Sequence, residues 1–275
     1  MPARDFDIGI VTDEISRDLG QALDVCRSWG IRRFELREGS AARFPGLTPD
    51  EIQRAENEIR LGGRVTAVSP GLFKGRVDDK DRLDYELNHV LPRALDMAGR
   101  FESPLLIVFG FERYDGEPEA DRKAVLRALE QAAVVAEAVG MQVAIENEPS
   151  FWIDRPAASA QMLGEIGHPA LKLNWDPANS HWGGRAPAYA DFRTIRPYLA
   201  NLHVKDFYPD DPQMPWRPVG QGRTPWRRIL TWILSETDLP HATLETHCLP
   251  PIDSSRQSLE ALRACIASLE EQTHG

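Results

Sequence analysis

The chain has 275 residues, of which 42% are hydrophobic and 27% are charged, the ordinary balance of a globular protein. It carries 42 Asp and Glu residues against 32 Lys and Arg residues, so its formal net charge is −10 at pH 7. This acidic surplus argues against broad binding to nucleic acid or to anionic lipid, and we expect neither partner. No apolar run approaches the roughly 18 residues of a membrane span. The N-terminus shows no signal-peptide pattern, and the three widely spaced cysteines predict reduced thiols, so we expect a cytoplasmic location.

Short β-branched runs alternate along the chain with longer segments of helical spacing, which is the pattern of βα units and a parallel sheet. We predict eight strands, at residues 7–11, 33–36, 65–68, 105–109, 142–145, 171–175, 199–204 and 242–244. The clearest predicted helices cover 19–29, 122–139, 225–235 and 258–271, and a further helix begins at the cap Thr48-Pro49.

Eight such units in this length give roughly 34 residues per unit, which is what a closed barrel requires. A doubly wound open sheet has the same alternation, but no G-x-G-x-x-G motif follows the first predicted strand. The sequence therefore predicts an α/β protein, a (β/α)8 TIM barrel forming a single domain over residues 1–275.

Four consecutive predicted strands, the fifth to the eighth, end in a group that can bind a metal: Glu146, Asp176, His203 and Glu245. Functional groups of a (β/α)8 barrel lie at the carboxyl ends of its strands. Any one of the four could be an ordinary rim carboxylate or hydrogen-bonded histidine. Three acids in one small volume, however, would repel one another unless a cation neutralised them. Such a set suits Mn²⁺ first, with Mg²⁺, Co²⁺ or Zn²⁺ as alternatives, and leaves positions for two substrate oxygens.

Seven further polar residues lie at the ends of predicted strands or in the loops that follow, and we expect them to contact the substrate: Glu35, Lys74, Glu148, Asn179, His181, Lys205 and Arg217. Lys205 has the strand parity of His203, so its side chain should point into the barrel mouth. Glu35 has the same inward parity, and a salt bridge with Arg37 or Arg64 is the alternative explanation for it.

The other members of this group also have structural alternatives. Asn179 fits a turn or a helix cap as well as a sugar hydroxyl. Lys74 fits a solvated loop lysine as well as a ligand for an anionic group. Arg217 could stack on Trp216 instead of binding substrate, and His181 could be a bystander in a rim loop.

Seven short motifs resemble, in their order and spacing, the xylose isomerase-like TIM barrel superfamily, the sugar phosphate isomerase/epimerase group. In chain order they read IGIVTDEIS, GIRRFELRE, AIENEPS, LNWDPAN, NLHVKD, VGQGRTPWRRIL and LETH, and they span nearly the whole chain. The resemblance implies that Glu146, Asp176, His203 and Glu245 bind the metal. It also implies that Glu146 and Glu245 flank the substrate carbon as acid/base partners.

One departure from the superfamily pattern follows the sixth predicted strand. Many relatives have Asp-x-x-His at this point, whereas this chain has Asp176-Pro177-Ala178-Asn179. The residue that binds further metals in the endonuclease branch is therefore an amide here.

These observations predict a divalent-metal-dependent isomerase or epimerase of a small keto sugar or sugar derivative. Proton transfer would pass through a metal-stabilised enediolate between two glutamates. The near alternative is a dehydratase or lyase acting on a keto-inositol or 3-keto sugar. An endonuclease IV-type nuclease is disfavoured by the net charge and by Asn179, and a non-catalytic sugar-binding barrel is a further alternative. The expected partner is a small-molecule sugar, and a homo-oligomer remains open.

Overall fold

The structure is a computed structural model that describes residues 6–274, with residues 1–5 and 275 of the predicted domain lying outside the described part. Eight parallel strands close into a barrel in which sequential neighbours pair and the last barrel strand pairs with the first. This confirms the predicted (β/α)8 fold. The barrel strands are β1 (Asp7–Val11), β2 (Arg33–Leu36), β3 (Arg64–Val68), β4 (Leu105–Val108), β5 (Gln142–Glu146), β6 (Leu171–Trp175), β7 (Leu199–Val204) and β10 (His241–Leu244).

The predicted strand ends differ from the observed ones by at most one residue. Strands of a parallel barrel are covered on both faces, so their near-continuous apolar runs mark them clearly in a sequence. Two short strands, β8 (Asp206–Phe207) and β9 (Trp216–Arg217), form an antiparallel ribbon at the barrel rim. The carboxylate of Asp206 fixes the loop after this ribbon by accepting the backbone N–H groups of Gly220, Gly222 and Thr224 at 2.8–3.0 Å.

The helices surround the barrel, and their order follows the chain. They are α1 (Leu19–Ser28), α2 (Pro49–Arg60), α3 (Lys80–Tyr85), α4 (Leu91–Arg100), α5 (Glu119–Glu137), α6 (Pro156–Ile166), α7 (Pro177–Trp182), α8 (Tyr189–Ile195), α9 (Trp226–Glu236) and α10 (Pro251–His274). Among the described helices, none has the length and apolar character needed to cross a bilayer.

The last helix begins seven residues earlier than the predicted start at Ser258. Serine is a common N-cap. In the structure, the Ser258 hydroxyl instead donates to the carbonyl of Ser254 inside the helix and accepts the backbone N–H of Val219. The Ser255 hydroxyl donates to the Glu14 carbonyl. These serines therefore join the helix to the barrel rim rather than capping it.

The barrel interior changes from apolar to polar along its axis. Ala67, Leu105, Ile107 and Ala144 form a small apolar cluster within the barrel, separate from the large core between strands and helices. Side chains alternate along a strand, so Glu146 on β5 lies on the same face as Ala144 and nearer the carboxyl end. The carboxyl ends of the strands therefore carry polar groups directly above this apolar cluster.

Candidate active site and metal centre

The four predicted metal-binding side chains converge at the carboxyl ends of β5, β6, β7 and β10. One donor atom from each of Glu146, Asp176, His203 and Glu245 lies within 4.8 Å of the others, and all four residues are buried. Three carboxylates and one imidazole form a donor set suited to a hard or borderline divalent cation.

A cationic side chain of the protein already lies among these acids. Lys205 Nζ is 2.9 Å from Asp176 Oδ2 and 3.1 Å from Glu245 Oε2. Although burial alone would lower the pKa of Lys205, the charges of Asp176 and Glu245 raise it well above its usual value. The cluster thus requires positive charge, and the residues present fit a divalent metal ion.

His203 is held in a defined orientation by groups on both sides of its ring. Its Nε2 lies 2.8 Å from Glu35 Oε2, and its Nδ1 faces Glu245 Oε2 at 3.3 Å and Glu146 Oε1 at 3.5 Å. Asn174 Nδ2 is also 3.1 Å from Nδ1. A carboxylate that accepts a hydrogen bond from one ring nitrogen leaves the other available for a metal.

Glu35 therefore lies on the far side of His203 from the metal-binding donors. It is 1% exposed and does not line the cavity above the site. The sequence predicted a substrate contact, or a salt bridge with Arg37 or Arg64. The structure instead places Glu35 where it positions His203.

Arg37 was not singled out from the sequence. Its guanidinium forms ion pairs with Asp13 at 2.7 Å, with Glu14 at 2.8 Å and with Glu245 Oε1. Arg37 has the inward parity of Glu35, two residues earlier in FELRE, so parity alone could have identified it. Glu245 consequently has one oxygen held by Arg37 and the other by Lys205.

A second group of donors lies beside the first. Glu14, Glu245 and His247 also have donor atoms within 4.8 Å of one another. His247 Nδ1 is 3.0 Å from Glu14 Oε1, and Arg37 bridges Glu14 and Glu245. This group is thus already neutralised by its own imidazole and guanidinium.

A cavity of about 330 Å³ opens above the metal-binding set. Of the seven predicted substrate contacts, Lys74, Glu148 and Lys205 line it. Burial, together with the nearby charge of Glu146, raises the pKa of Glu148 to about 7, so this carboxyl can hold or release a proton near neutral pH.

The other predicted contacts lie outside the described lining. Asn179 caps α7 through its backbone N–H to Asp176 Oδ1 at 2.8 Å, and its amide donates to the Asn147 carbonyl at 3.0 Å. The ring of His181 packs edge-on against Phe207.

Arg217 also lies outside that lining. Its guanidinium pairs with Asp211 at 2.7 Å and donates to the Met214 carbonyl. Asn179, His181 and Arg217 thus each have a contact within the protein, Asn179 also with Glu146 Oε1 at 3.4 Å, and their contact with substrate stays a prediction.

The sequence pattern of the xylose isomerase-like TIM barrel family matches residues 23–265. The chain belongs to this family. The resemblance seen in the sequence motifs is confirmed.

Two curated relatives match parts of the chain. Over 143 residues it is 36% identical to the 2-epi-5-epi-valiolone 7-phosphate 2-epimerase of an Actinoplanes species, covering 52% of this chain and 50% of that enzyme. Over 66 residues it is 32% identical to the 3-dehydroshikimate dehydratase of Bacillus anthracis, covering 24% of this chain and 23% of that enzyme. The matched segments thus span half or less of the relatives' lengths.

Solved structures share the fold over nearly the whole chain. A D-tagatose 3-epimerase-like protein superimposes with a TM-score of 0.81 at 14% identity, covering 98% of this chain and 100% of that one. An L-ribulose 3-epimerase gives 0.79 at 13% identity, covering 98% and 97%. A family member from Mycobacterium smegmatis in complex with magnesium gives 0.70 at 16% identity, covering 97% and 98%.

Proposed function

We propose that this protein is a divalent-metal-dependent isomerase or epimerase of a small keto sugar or sugar derivative. The observation that carries the proposal is the buried set of three carboxylates and one imidazole beneath a cavity large enough for such a ligand. The epimerase named among the curated relatives supports the reaction class. Mn²⁺, Mg²⁺, Co²⁺ and Zn²⁺ all suit the donors, and Mn²⁺ is our first choice.

A divalent ion bound to these four residues would polarise a substrate carbonyl and acidify the neighbouring C–H. Glu146 and Glu245 are the proposed proton carriers. Both oxygens of Glu245 are held by cations, Oε1 by Arg37 and Oε2 by Lys205. Among the described residues, Glu146 Oε1 contacts the Asn179 amide at 3.4 Å and His203 Nδ1 at 3.5 Å.

This asymmetry assigns different parts to the two glutamates. The less neutralised Glu146 is the better acceptor for the substrate proton. Glu245, whose pKa is held well below its usual value despite burial by the charges of Lys205, His247 and His203, is ionised at neutral pH, so it must take a proton from solvent before it can return one to the substrate. Delivery of a proton from Glu245 to the same carbon on the opposite face gives epimerisation, and delivery of a proton to the neighbouring carbon gives isomerisation.

A dehydratase is the second candidate, and Glu148 is the observation that favours it. A carboxyl with a pKa of about 7 on the cavity wall can protonate a departing hydroxyl after the C–H proton has been removed. The dehydratase among the curated relatives is consistent with this outcome.

Hydrogen exchange tests the shared proton-removal step. The Mn²⁺-loaded protein is incubated with a panel of ketoses and 3-keto sugars in D₂O, and loss of C–H signals is followed by NMR. We expect exchange next to the carbonyl of at least one sugar. We also expect a loss of about 100-fold or more in Glu146→Gln and Glu245→Gln.

Glu130→Gln, an exposed helix position, is the matched control and should exchange like the wild type. Epimer signals would support the first candidate, and loss of water from the sugar would support the second. Absence of exchange on every sugar, or full exchange in Glu146→Gln, would overturn the proposal.

A further inference from the structure

The cations that line the cavity differ in how they are neutralised. Arg37 and Lys205 are each paired with two or more carboxylates. Arg17 and Arg43 share the single carboxylate of Glu38, the latter at 3.6 Å. Lys74 forms no ion pair with a carboxylate among the described residues, although its charge acts on the Glu148 carboxyl in the same cavity.

Lys74 lies on a loop whose backbone is fixed. The carbonyls of the residues on either side of it, Phe73 and Gly75, accept the N–H groups of Phe111 at 3.0 Å and Glu112 at 3.1 Å. The Lys74 ammonium lies 4.2 Å from the centroid of the Phe109 ring, which lines the same cavity. The loop therefore places the ammonium at the mouth of the cavity beside Phe109, although the Lys74 side chain is exposed.

Phe73, directly before Lys74, has a φ of 65°, a conformation that is costly for an aromatic residue. Its N–H donates to Glu86 Oε2 at 3.0 Å, and its ring stacks on Phe111 with centroids 4.7 Å apart. The surrounding structure thus enforces a strained turn at the residue that precedes the unpaired lysine.

Arg43 lies against the beginning of the same loop. Its Nε donates to the Ser69 carbonyl and its Nη2 to the Ser69 hydroxyl, both at 3.1 Å. Gly71 allows this approach, because a Cβ there would lie 2.6 Å from Arg43 Nε. Burial and the nearby charge of Arg37 lower the pKa of Arg43, consistent with an incompletely neutralised guanidinium.

We infer that Arg43 and Lys74 form an oxyanion subsite that binds a carboxylate or phosphate group of the substrate. Charge-assisted hydrogen bonds from an ammonium and a guanidinium are the strong contacts that such groups seek. The substrate class is then an acidic keto sugar whose charged substituent lies on the wall formed by the loop after β3. This inference rests on the proposed function, because the sugar carbonyl is taken to lie at the metal-binding set.

Pairs of ligands, in which one member carries an added anionic group, test the subsite. Binding of D-ribulose and D-ribulose 5-phosphate to the Mg²⁺-loaded protein is measured by calorimetry. D-fructose and D-fructuronate, whose carboxylate is remote from the ketone, form the second pair. We expect at least one anionic member to bind about 10- to 100-fold more tightly than its neutral partner. The pair that shows the larger ratio distinguishes phosphate from carboxylate.

Lys74→Met should remove most of that ratio, and Lys74→Arg should restore much of it. Lys123→Met, which removes the same charge from an exposed position on α5, should leave the ratio unchanged. Equal binding of charged and neutral partners, or a ratio unchanged in Lys74→Met, would overturn the subsite.

The hydrogen-exchange measurement separates this failure from failure of the proposed function. If the wild type exchanges sugar C–H groups but shows no preference for anions, only the subsite is wrong. If the wild type neither binds any of the sugars nor exchanges their C–H groups, both proposals are wrong.

Discussion

Each end of the barrel buries a histidine, and the two imidazole rings differ in their polar neighbours. At the carboxyl end, His203 is 1% exposed, and both ring nitrogens have polar neighbours within 3.5 Å. At the amino end, His241 is 7% exposed, and neither ring nitrogen has a hydrogen-bond partner among the described residues. Burial disfavours the charged form of both rings.

The charged neighbours of each ring determine the direction in which its pKa shifts. Although burial lowers it, the pKa of His203 is raised well above its usual value by Glu35, Glu245 and Glu146. The pKa of His241 is lowered to about 4 by burial and then by the charge of Arg33. A buried cluster of acids is not needed to stabilise a barrel. Its presence at the carboxyl end therefore marks that end as the candidate functional site.

The largest expected effect concerns Lys205, the cation that the carboxyl end supplies for itself. Lys205→Met leaves Asp176 and Glu245 without their shared ammonium. We expect the free energy of unfolding of the metal-free protein to fall by about 3–5 kcal/mol, since a buried charge loses its partner. Added Mn²⁺ should stabilise this variant more than the wild type. Urea unfolding with and without Mn²⁺ measures both effects.

Lys123→Met on α5 is the control and should change the free energy of unfolding by no more than about 0.5 kcal/mol. A metal-free Lys205→Met protein as stable as the wild type would contradict the charge balance described for the carboxyl end.

A smaller effect is expected at the amino end. The unfolded chain protonates His241 below about pH 6.5, whereas the folded protein keeps it neutral down to about pH 4. Stability from this residue is therefore present above pH 6.5 and is lost as the pH falls toward 4. We expect the wild type to lose about 1–2 kcal/mol more over this range than His241→Gln. The expected loss is modest because a cavity of about 130 Å³ beside the ring can admit water.

Urea unfolding at a series of pH values gives the difference, and His89→Gln at an exposed position is the matched control. Parallel pH profiles for His241→Gln and the wild type would show that His241 is not held neutral in the folded protein.

The strand positions and the convergence of the four candidate metal-binding residues could be predicted because each follows from local pattern. β-branched runs marked the strands, and the first inward acid or imidazole at the end of β5, β6, β7 and β10 gave Glu146, Asp176, His203 and Glu245. The depth of a side chain in the barrel could not be predicted in this way.

Glu35 and Lys205 illustrate the difficulty. Both have inward parity, but Glu35 lies behind His203, whereas Lys205 lies between Asp176 and Glu245. Parity tells which face of a strand a side chain is on. The position of that side chain along the barrel axis depends on the stagger between neighbouring strands. The partners of Asn179 and Arg217 likewise depend on how the rim loops fold over the barrel.

Diffraction from crystals soaked in Mn²⁺, measured at the manganese absorption edge, tests the central claim most directly. We expect one anomalous peak with an oxygen or nitrogen of each of Glu146, Asp176, His203 and Glu245 at about 2.0–2.4 Å. Lys205 Nζ should no longer lie between Asp176 and Glu245. Absence of a peak at saturating Mn²⁺, or a single peak between Glu14 and His247, would contradict the account.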